Sequence, residues 1–259
     1  PAYGEVEHLT RLQDEAVSEA CGPLSHRVLN DVEAAHLGAF AGGPGILILS
    51  GTGSMAWAHD QGGRSFRVGG WGDVIGDEGS SYWIGRRALS LVSKSWDGRH
   101  VPGALVDLVF EHLGLDRSAP LGALTSWSVG LRNPRADIAA LARLVDRAAG
   151  LGDPSAIELI DDAAVELASH IFAVAKQSDQ ALDWTFAGGT FNSRLLLKAL
   201  TAQVGNPPVP SRLPPIGGAL LAGAQLVGWP GDSRWIEQIA VATRESADEI
   251  SDQRIAQHA

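Results

Sequence analysis

The chain has 259 residues and a formal net charge of −10, and its 45% hydrophobic and 19% charged content is typical of a globular protein, not a disordered one. The acidic balance excludes a basic surface for nucleic acid or anionic lipid, and the longest clean apolar run, Ile46–Leu49, is far short of the roughly 20 residues that span a bilayer. The single cysteine, Cys21, excludes an intramolecular disulfide, so we expect a soluble cytoplasmic protein.

The N-terminal part predicts two helices around one short strand. Apolar residues at helical spacing indicate a helix over Glu5–Ala20, and Arg27–Leu29 is typical of a strand that ends at Asn30 and Asp31. A second helix is predicted for Val32–Phe40, before the glycine-rich break at Gly42–Gly45. About 40 residues cannot normally bury an independent core, so this part is not expected to fold alone.

The next segment predicts an antiparallel meander followed by helices. Strands are expected near residues 46–50, 54–58 and 65–68, and a fourth strand near 183–187 should join them in one sheet. Most of the intervening chain carries helical patterns, including a helix that Asp137 would cap and one that Asp153 caps before Pro154. Further helices are predicted for Ser193–Val204, which Asn192 would cap, for residues 214–227 and for a polar tail near 236–255. This order predicts an α/β fold.

Two glycine-rich turns that follow strands are candidate nucleotide sites. Gly51–Ser54 offers backbone N–H groups and two hydroxyls that could approach phosphate oxygens, although an ordinary hairpin turn would have the same composition. Gly188–Thr190 leads a strand into a helix start, where an anion or a flat ring could lie, and it could equally be a tight connection. We expect these two turns to face each other across one cleft.

A third glycine-rich segment, residues 69–80, and the acidic Asp31 suggest a sugar site. Trp71 lies among Asp73, Asp77 and Glu78, and carboxylates beside an indole suit the hydroxyls and C–H faces of a sugar. The alternative is an acidic loop that caps the next helix. Asp31, at the predicted end of a strand, could act as a general base or as a helix N-cap.

Together, these motifs resemble those of N-acetylglucosamine kinases and their relatives in the BadF/BadG-type ATPase family, within the superfamily of actin and hexokinase. The resemblance covers roughly residues 10–228. It rests on the run ILILSGTGSMAW, on GGWGDVIGDEGSSYWIGRRAL, on AGGTFNSRLL and on PPIGGALLAG, in that order. It implies an actin-like ATPase (ribonuclease H-like) lobe, with its sheet flanked by helices, at residues 44–229. Residues 1–43 would be a remnant of the N-terminal lobe, and 230–259 a helical tail.

The resemblance also implies a role for each matching residue. Asp31 would be the general base, and Thr52 would lie near the γ-phosphate and the sugar. Ala139, at the start of a helix over 137–149, would lie under the adenine. The remaining matches are the phosphate loop at Gly51, Thr52, Gly53 and Ser54, the amino-sugar loop at Gly70, Trp71 and Asp77, and the adenosine loop at Gly188, Gly189 and Thr190.

One family motif is missing, an Asp-Gly-Gly-Gly-Thr hairpin that cradles phosphates and helps to hold magnesium. We therefore expect the sequence to be a fragment of a longer protein, with a degenerate relative as the alternative. The function implied is ATP-dependent phosphoryl transfer to N-acetylglucosamine or glucosamine, with Mg²⁺ on the nucleotide, no metal site in the protein, and a homodimer allowed. The alternative is a non-catalytic nucleotide- or sugar-binding relative. An activator of a radical dehydratase would need two cysteines per subunit for its iron–sulfur cluster, and this chain has one.

Overall fold

The computed structural model describes residues 3–4, 6–229 and 231–243, and four of its strands form one sheet. The strands are β1 (Gly45–Ser50), β2 (Ser54–His59), β3 (Ser65–Gly69) and β4 (Trp184–Ala187), in the order β3-β2-β1-β4. β1 pairs antiparallel with β2 and parallel with β4, and β2 pairs antiparallel with β3. The predicted α/β lobe with a single sheet is confirmed.

Helices surround this sheet. The first two are α1 (Glu7–Cys21) and α2 (Asp31–Ala39), which precede β1. Between β3 and β4 the helices are α3 (Ser81–Trp96), α4 (Ala104–Leu113), α5 (Pro120–Val129), α6 (Pro134–Ala139), α7 (Ala142–Gly150) and α8 (Pro154–Ser178). After β4 come a short 3₁₀ turn (Gly189–Asn192), α9 (Arg194–Val204) and α10 (Pro215–Leu226). Among the described residues, no helix is both long enough and apolar enough to span a membrane.

β1 is the central strand because both of its faces are covered. Ile46 and Ile48 point into the main core, which also contains the buried face of α8, whereas Leu47 packs with α2 on the opposite face. All three side chains are almost completely buried. A strand covered on both faces has to be apolar throughout, which explains the unbroken apolar run in this segment of the sequence.

The helix α8 forms the long support behind the sheet. Its start is fixed by Asp153, whose Oδ1 accepts hydrogen bonds from the N–H groups of Ser155 and Ala156, while Oδ2 accepts one from Leu105 at the start of α4. The predicted cap at Asp153 is confirmed. The same carboxylate therefore accepts hydrogen bonds at the beginnings of two helices and links them.

The segment before β1 differs from the prediction. Residues 25–30 form no strand, and in the described part of the chain the sheet has no strand beside them to supply a hydrogen-bonded ladder. Helix α2 instead packs closely on α10, where a Cβ on Gly218 would lie 1.9 Å from the carbonyl oxygen of Ala34. The division of the chain at residue 43 stays a prediction.

Two predicted helix starts are corrected. The helix expected over 137–149 is two helices, because Asn133 caps α6 by accepting from Ala136 N–H, and α7 begins separately at Ala142. Ser193, not Asn192, caps α9 by accepting from Leu196 N–H. Residues 233–243 are helical, and the rest of the predicted tail, 244–259, lies outside the described residues.

Candidate functional site

Two neighbouring cavities open beyond the carboxyl ends of the parallel strands β1 and β4. The first has a volume of about 660 Å³ and the second about 450 Å³. Gly51 and Thr52, directly after β1, line both cavities. The carboxyl ends of adjacent parallel strands are where open α/β sheets usually bind ligands. A ligand that passes over Thr52 could therefore occupy both cavities at once.

The turn Gly51–Ser54 is held from beneath by the start of α3 and by the loop before it. Ser81 N–H donates to the Gly51 carbonyl at 2.8 Å, and the Ser54 hydroxyl donates to the Glu78 carbonyl at 2.6 Å. Among the described residues, the N–H groups of Thr52 and Gly53 have no acceptor. Two unpaired backbone donors in a rigid turn at the edge of a cavity are suited to an anion.

The turn Gly188–Thr190 contacts this turn directly. Gly188 has φ +109°, and a Cβ on it would lie 2.1 Å from the Ser50 carbonyl oxygen, so only glycine fits there. The Thr190 hydroxyl donates to the Gly51 carbonyl at 3.1 Å and lies 2.7 Å from the Ser81 hydroxyl. Both turns line one cleft, but the prediction that they face each other across it is wrong, because the two turns are in direct contact.

Asp31 lies in the wall of the first cavity at the beginning of α2. It follows no strand, and it is not the helix cap, because Asn30 fills that role by accepting from Glu33 N–H at 2.6 Å. Oδ1 of Asp31 accepts from Val32 N–H at 3.0 Å, and its Oδ2 has no partner among the described residues. The residue is exposed, so this oxygen is available to a ligand hydroxyl.

Gly70 and Trp71 line the first cavity directly after β3. Gly70 has φ +72°, and a Cβ there would meet Met55 Cε at 2.4 Å and Arg67 Nη2 at 2.7 Å. Arg67 Nη2 donates to the Gly70 carbonyl at 2.6 Å, which fixes the turn. The Trp71 side chain, 73% exposed, therefore stands at the mouth of the cavity, where an indole could cover one face of a sugar ring.

Asp77 lines the same cavity but is almost completely buried. Its Oδ1 accepts from Ser54 N–H at 3.2 Å, and its Oδ2 lies 2.5 Å from Arg135 Nη2. Both oxygens therefore already bind protein groups, and the carboxylate holds the end of the Gly51–Ser54 turn. Its predicted contact with a sugar hydroxyl stays a prediction, which would use the remaining lone pairs.

Arg135 was not among the predicted site residues, and it lies 58 positions after its partner Asp77. It projects from α6 into the first cavity beside the glycine turn, where a Cβ on Gly53 would lie 2.8 Å from its Nη2. A lone arginine between two helical patterns gives no signal in a single sequence. Only the packing of α6 against α3 places its guanidinium there.

The second cavity is lined by small apolar residues and a few polar ones. Ala139 lies in its wall, at the end of α6 and not at the start of a longer helix as predicted. Asp146 of α7 accepts a short hydrogen bond from the Ser193 hydroxyl, and both residues line this cavity with Gly189 and Thr190. A cavity lined by alanines and by polar groups suits a nucleoside, because the alanines can cover a flat base and the polar groups can bind a ribose.

Within the described ranges, no cluster of three or more His, Cys, Asp or Glu side chains could hold a metal ion. Of the two aspartates that line the first cavity, Asp77 is paired with Arg135, and Asp31 keeps one oxygen without a partner among the described residues. This donor set fits a metal ion that arrives on a ligand and is held chiefly by that ligand's own oxygens.

Comparisons with known proteins agree with this architecture. The model of the BadF/BadG/BcrA/BcrD ATPase family matches residues 2–223. An N-acetylmuramic acid/N-acetylglucosamine kinase of Clostridium acetobutylicum is 34% identical over 64% of this chain and 54% of its own length. The glucosamine kinase of Vibrio cholerae is 31% identical over 61% of this chain and 52% of its own length.

A solved structure is also similar. The crystal structure of a Chromobacterium violaceum protein, provisionally named an N-acetylglucosamine kinase, superposes with a TM-score of 0.70 and 31% identity, over 83% of this chain and 71% of that one. The chain spans about half the length of the curated relatives that it matches.

Proposed function

Because the chain belongs to the BadF/BadG/BcrA/BcrD ATPase family, we propose that the whole gene product is a kinase that transfers the γ-phosphoryl group of ATP to a hydroxyl of an amino sugar. The relatives named above act on N-acetylglucosamine, N-acetylmuramic acid or glucosamine, which share a hexose ring with nitrogen at one carbon. The substrate class is therefore a 2-amino or 2-acetamido hexose.

The observation that carries the proposal is the meeting of the two cavities at Gly51 and Thr52. A kinase has to hold a nucleotide and an acceptor on opposite sides of the transferred phosphoryl group. In this arrangement, adenosine occupies the second cavity against Ala139 and Gly189. The phosphates cross Thr52, and the sugar occupies the first cavity beneath Trp71.

The chemistry in the first cavity follows from the position of Asp31. Its free Oδ2 accepts the proton of the sugar hydroxyl while the hydroxyl oxygen bonds to the γ-phosphorus, and the bond from that phosphorus to the β–γ bridging oxygen breaks. The products are a sugar phosphate and ADP. The unpaired N–H groups of Thr52 and Gly53 donate to the phosphoryl oxygens and oppose the charge on them.

Magnesium would enter the site bound to the nucleotide. Bound Mg²⁺ would screen the β- and γ-phosphate charges, and the Asp31 carboxylate and the Thr52 hydroxyl, which both line the first cavity, are the protein groups that would bind its water ligands. Both are oxygen donors, which magnesium prefers over nitrogen or sulfur.

The first test is the variant Asp31→Asn in the whole gene product. The amide keeps the shape of the carboxylate and can still hydrogen-bond the sugar hydroxyl, but it cannot accept the proton. We expect kcat to fall by ~10²–10⁴, the usual cost of losing a general base. Sugar affinity by calorimetry should stay within about tenfold of wild type.

Asp161→Asn is the matched control, since Asp161 is an exposed carboxylate on α8 that lines neither cavity. It should leave both kcat and sugar affinity unchanged. If Asp31→Asn retains wild-type kcat, Asp31 is not the base. If the wild-type protein binds sugar and nucleotide but transfers no phosphoryl group, it is the non-catalytic binding relative instead.

A further inference from the structure

We propose that Arg135 binds the γ-phosphoryl group during transfer and links it to the sugar-side loop through Asp77. The inference rests on the proposed function, since it assigns a further residue to the same site. The Arg135 guanidinium contacts two segments. On one side it contacts the loop that carries Trp71 and Asp77, and on the other side the Gly51–Ser54 turn.

The geometry leaves part of the Arg135 side chain exposed. Nη2 lies 2.5 Å from Oδ2 of Asp77, while 43% of the side chain is exposed and the residue lines the first cavity. A guanidinium carries five N–H donors in a fixed plane, so one edge can hold a carboxylate while another edge holds a second anion. The neighbouring cavity surface already offers the N–H groups of Thr52 and Gly53 to an anion.

The charged side chains that line the first cavity are Asp31 and Asp77 together with Arg67 and Arg135. Asp77 is almost completely buried, and its pairing with Arg135 neutralises it. Arg67 donates to two backbone carbonyls, at the end of β3 and directly after it. Arg135 is the arginine of this cavity whose guanidinium lies against Gly53, within the turn that offers unpaired N–H groups to the phosphates.

The path of the nucleotide decides which phosphate Arg135 meets. Adenosine lies in the second cavity, which Arg135 does not line, and the phosphates reach the first cavity only after passing Gly51 and Thr52. The terminal phosphate is the one that extends beyond this junction. Arg135 should therefore bind ATP through its γ-phosphate and make little contact with ADP.

Its effect on transfer follows from where charge moves. As the sugar oxygen bonds to phosphorus and the bond to ADP breaks, negative charge is spread over the three oxygens of the transferred group. A guanidinium held in place by Asp77 opposes this charge without reorganising. The pair also couples the two loops, so that the Gly51–Ser54 turn and the sugar-side loop are held together when the phosphate is present.

The test compares Arg135→Lys and Arg135→Ala by calorimetric titration with ATP and with ADP, each without sugar. We expect ATP affinity to fall about tenfold or more in Arg135→Ala, while ADP affinity stays within about twofold. Lysine should recover part of the ATP affinity because it keeps the charge, but not the fork that serves two anions. Transfer kinetics should show kcat lower by about 10²-fold in Arg135→Ala.

Arg132→Ala is the matched control, because it removes the same charge three residues away, outside both cavities. It should change neither nucleotide affinity. Equal losses of ATP and ADP affinity in Arg135→Ala, or no loss of either, would overturn the inference. So would a loss confined to the binding of N-acetylmuramic acid, whose carboxylate could be the anion instead.

The two proposals fail differently. If wild type binds ATP but phosphorylates no sugar, the proposed function fails, and the ratio of ATP to ADP affinities still decides the role of Arg135. Should Arg135→Ala not fold, Arg135→Lys, which retains a cation beside Asp77, is titrated in the same way and should show a smaller loss that is again confined to ATP.

Discussion

At the scale of single residues, adjacent positions in the cleft meet very different constraints. Gly188 and Gly189 follow β4, and both line the candidate site. Gly188 has a left-handed φ of +109° and no room for a Cβ beside the Ser50 carbonyl, whereas a Cβ on Gly189 would meet nothing within 4 Å. The first glycine is required by the backbone, and the second is open to substitution as far as the fold is concerned.

We therefore expect Gly188→Ala to lower the free energy of unfolding by at least ~2 kcal/mol, since it combines an unfavourable φ with a clash against backbone. Gly189→Ala should stay within about 0.5 kcal/mol of wild type. Urea unfolding curves of the two variants measure both values. Similar stabilities of the two variants would contradict the contact between the Ser50 carbonyl and the Gly188 turn.

How well residues could be predicted depended on whether local sequence determines their role. The glycine turns could be predicted because short motifs need particular residue types at fixed positions, whereas Asp31 was proposed as the end of a strand that does not form. The partnership of Arg135 with Asp77 could not be found, because a contact over 58 positions depends on the packing of α6 against α3. The strand expected at 27–29 failed because a strand also needs a neighbour, which the sequence of one segment cannot supply.

At the scale of elements, α2 carries Asp31 at its first turn and is fixed to the sheet by His36. The imidazole is fully buried, with Nε2 donating to the Gly45 carbonyl at 2.9 Å, and it packs against the rings of Phe40 and His59 in tilted geometry. Burial lowers the pKa of His36 to about 4, and it also lowers the pKa of His59. Both rings are therefore neutral near pH 7.

This arrangement makes the stability of the protein depend on pH. Because the folded pKa of His36 lies below the ordinary value of 6.5, the unfolded chain binds the proton more readily. The contribution of a neutral, buried His36 to the free energy of unfolding is fully present above about pH 6.5 and is lost as the pH falls towards 4. The pKa shift corresponds to about 3 kcal/mol at most.

The measurement is chemical unfolding of wild type and of His36→Gln between pH 7.5 and pH 4.5. Glutamine can keep a donor to the Gly45 carbonyl but does not titrate, so the pH dependence should be shallower in this variant. His8→Gln, at an exposed position on α1, is the control and should follow wild type. Parallel pH profiles for wild type and His36→Gln would show that His36 is not the titrating group.

At the scale of the whole molecule, the fold brings motifs from distant parts of the sequence to one edge of the sheet. The parallel pairing of β1 with β4 sets the turns at 51–54 and 188–190 side by side, although more than 130 residues separate them. That both turns line one cleft could be predicted, because each turn directly follows a strand of the same sheet. It could not predict that the two turns touch, since that depends on Gly188 packing against the Ser50 carbonyl.

We propose that two cavities joined at Thr52 hold a nucleotide and an amino sugar for phosphoryl transfer. The most direct measurement is ADP formation by the whole gene product with ATP, Mg²⁺ and a panel of hexoses, with the sugar product identified by mass spectrometry. We expect rapid ADP formation to require an amino sugar and to yield one sugar phosphate for each ADP. ADP formation that is independent of sugar, or the absence of any sugar phosphate although both ligands bind, would contradict it.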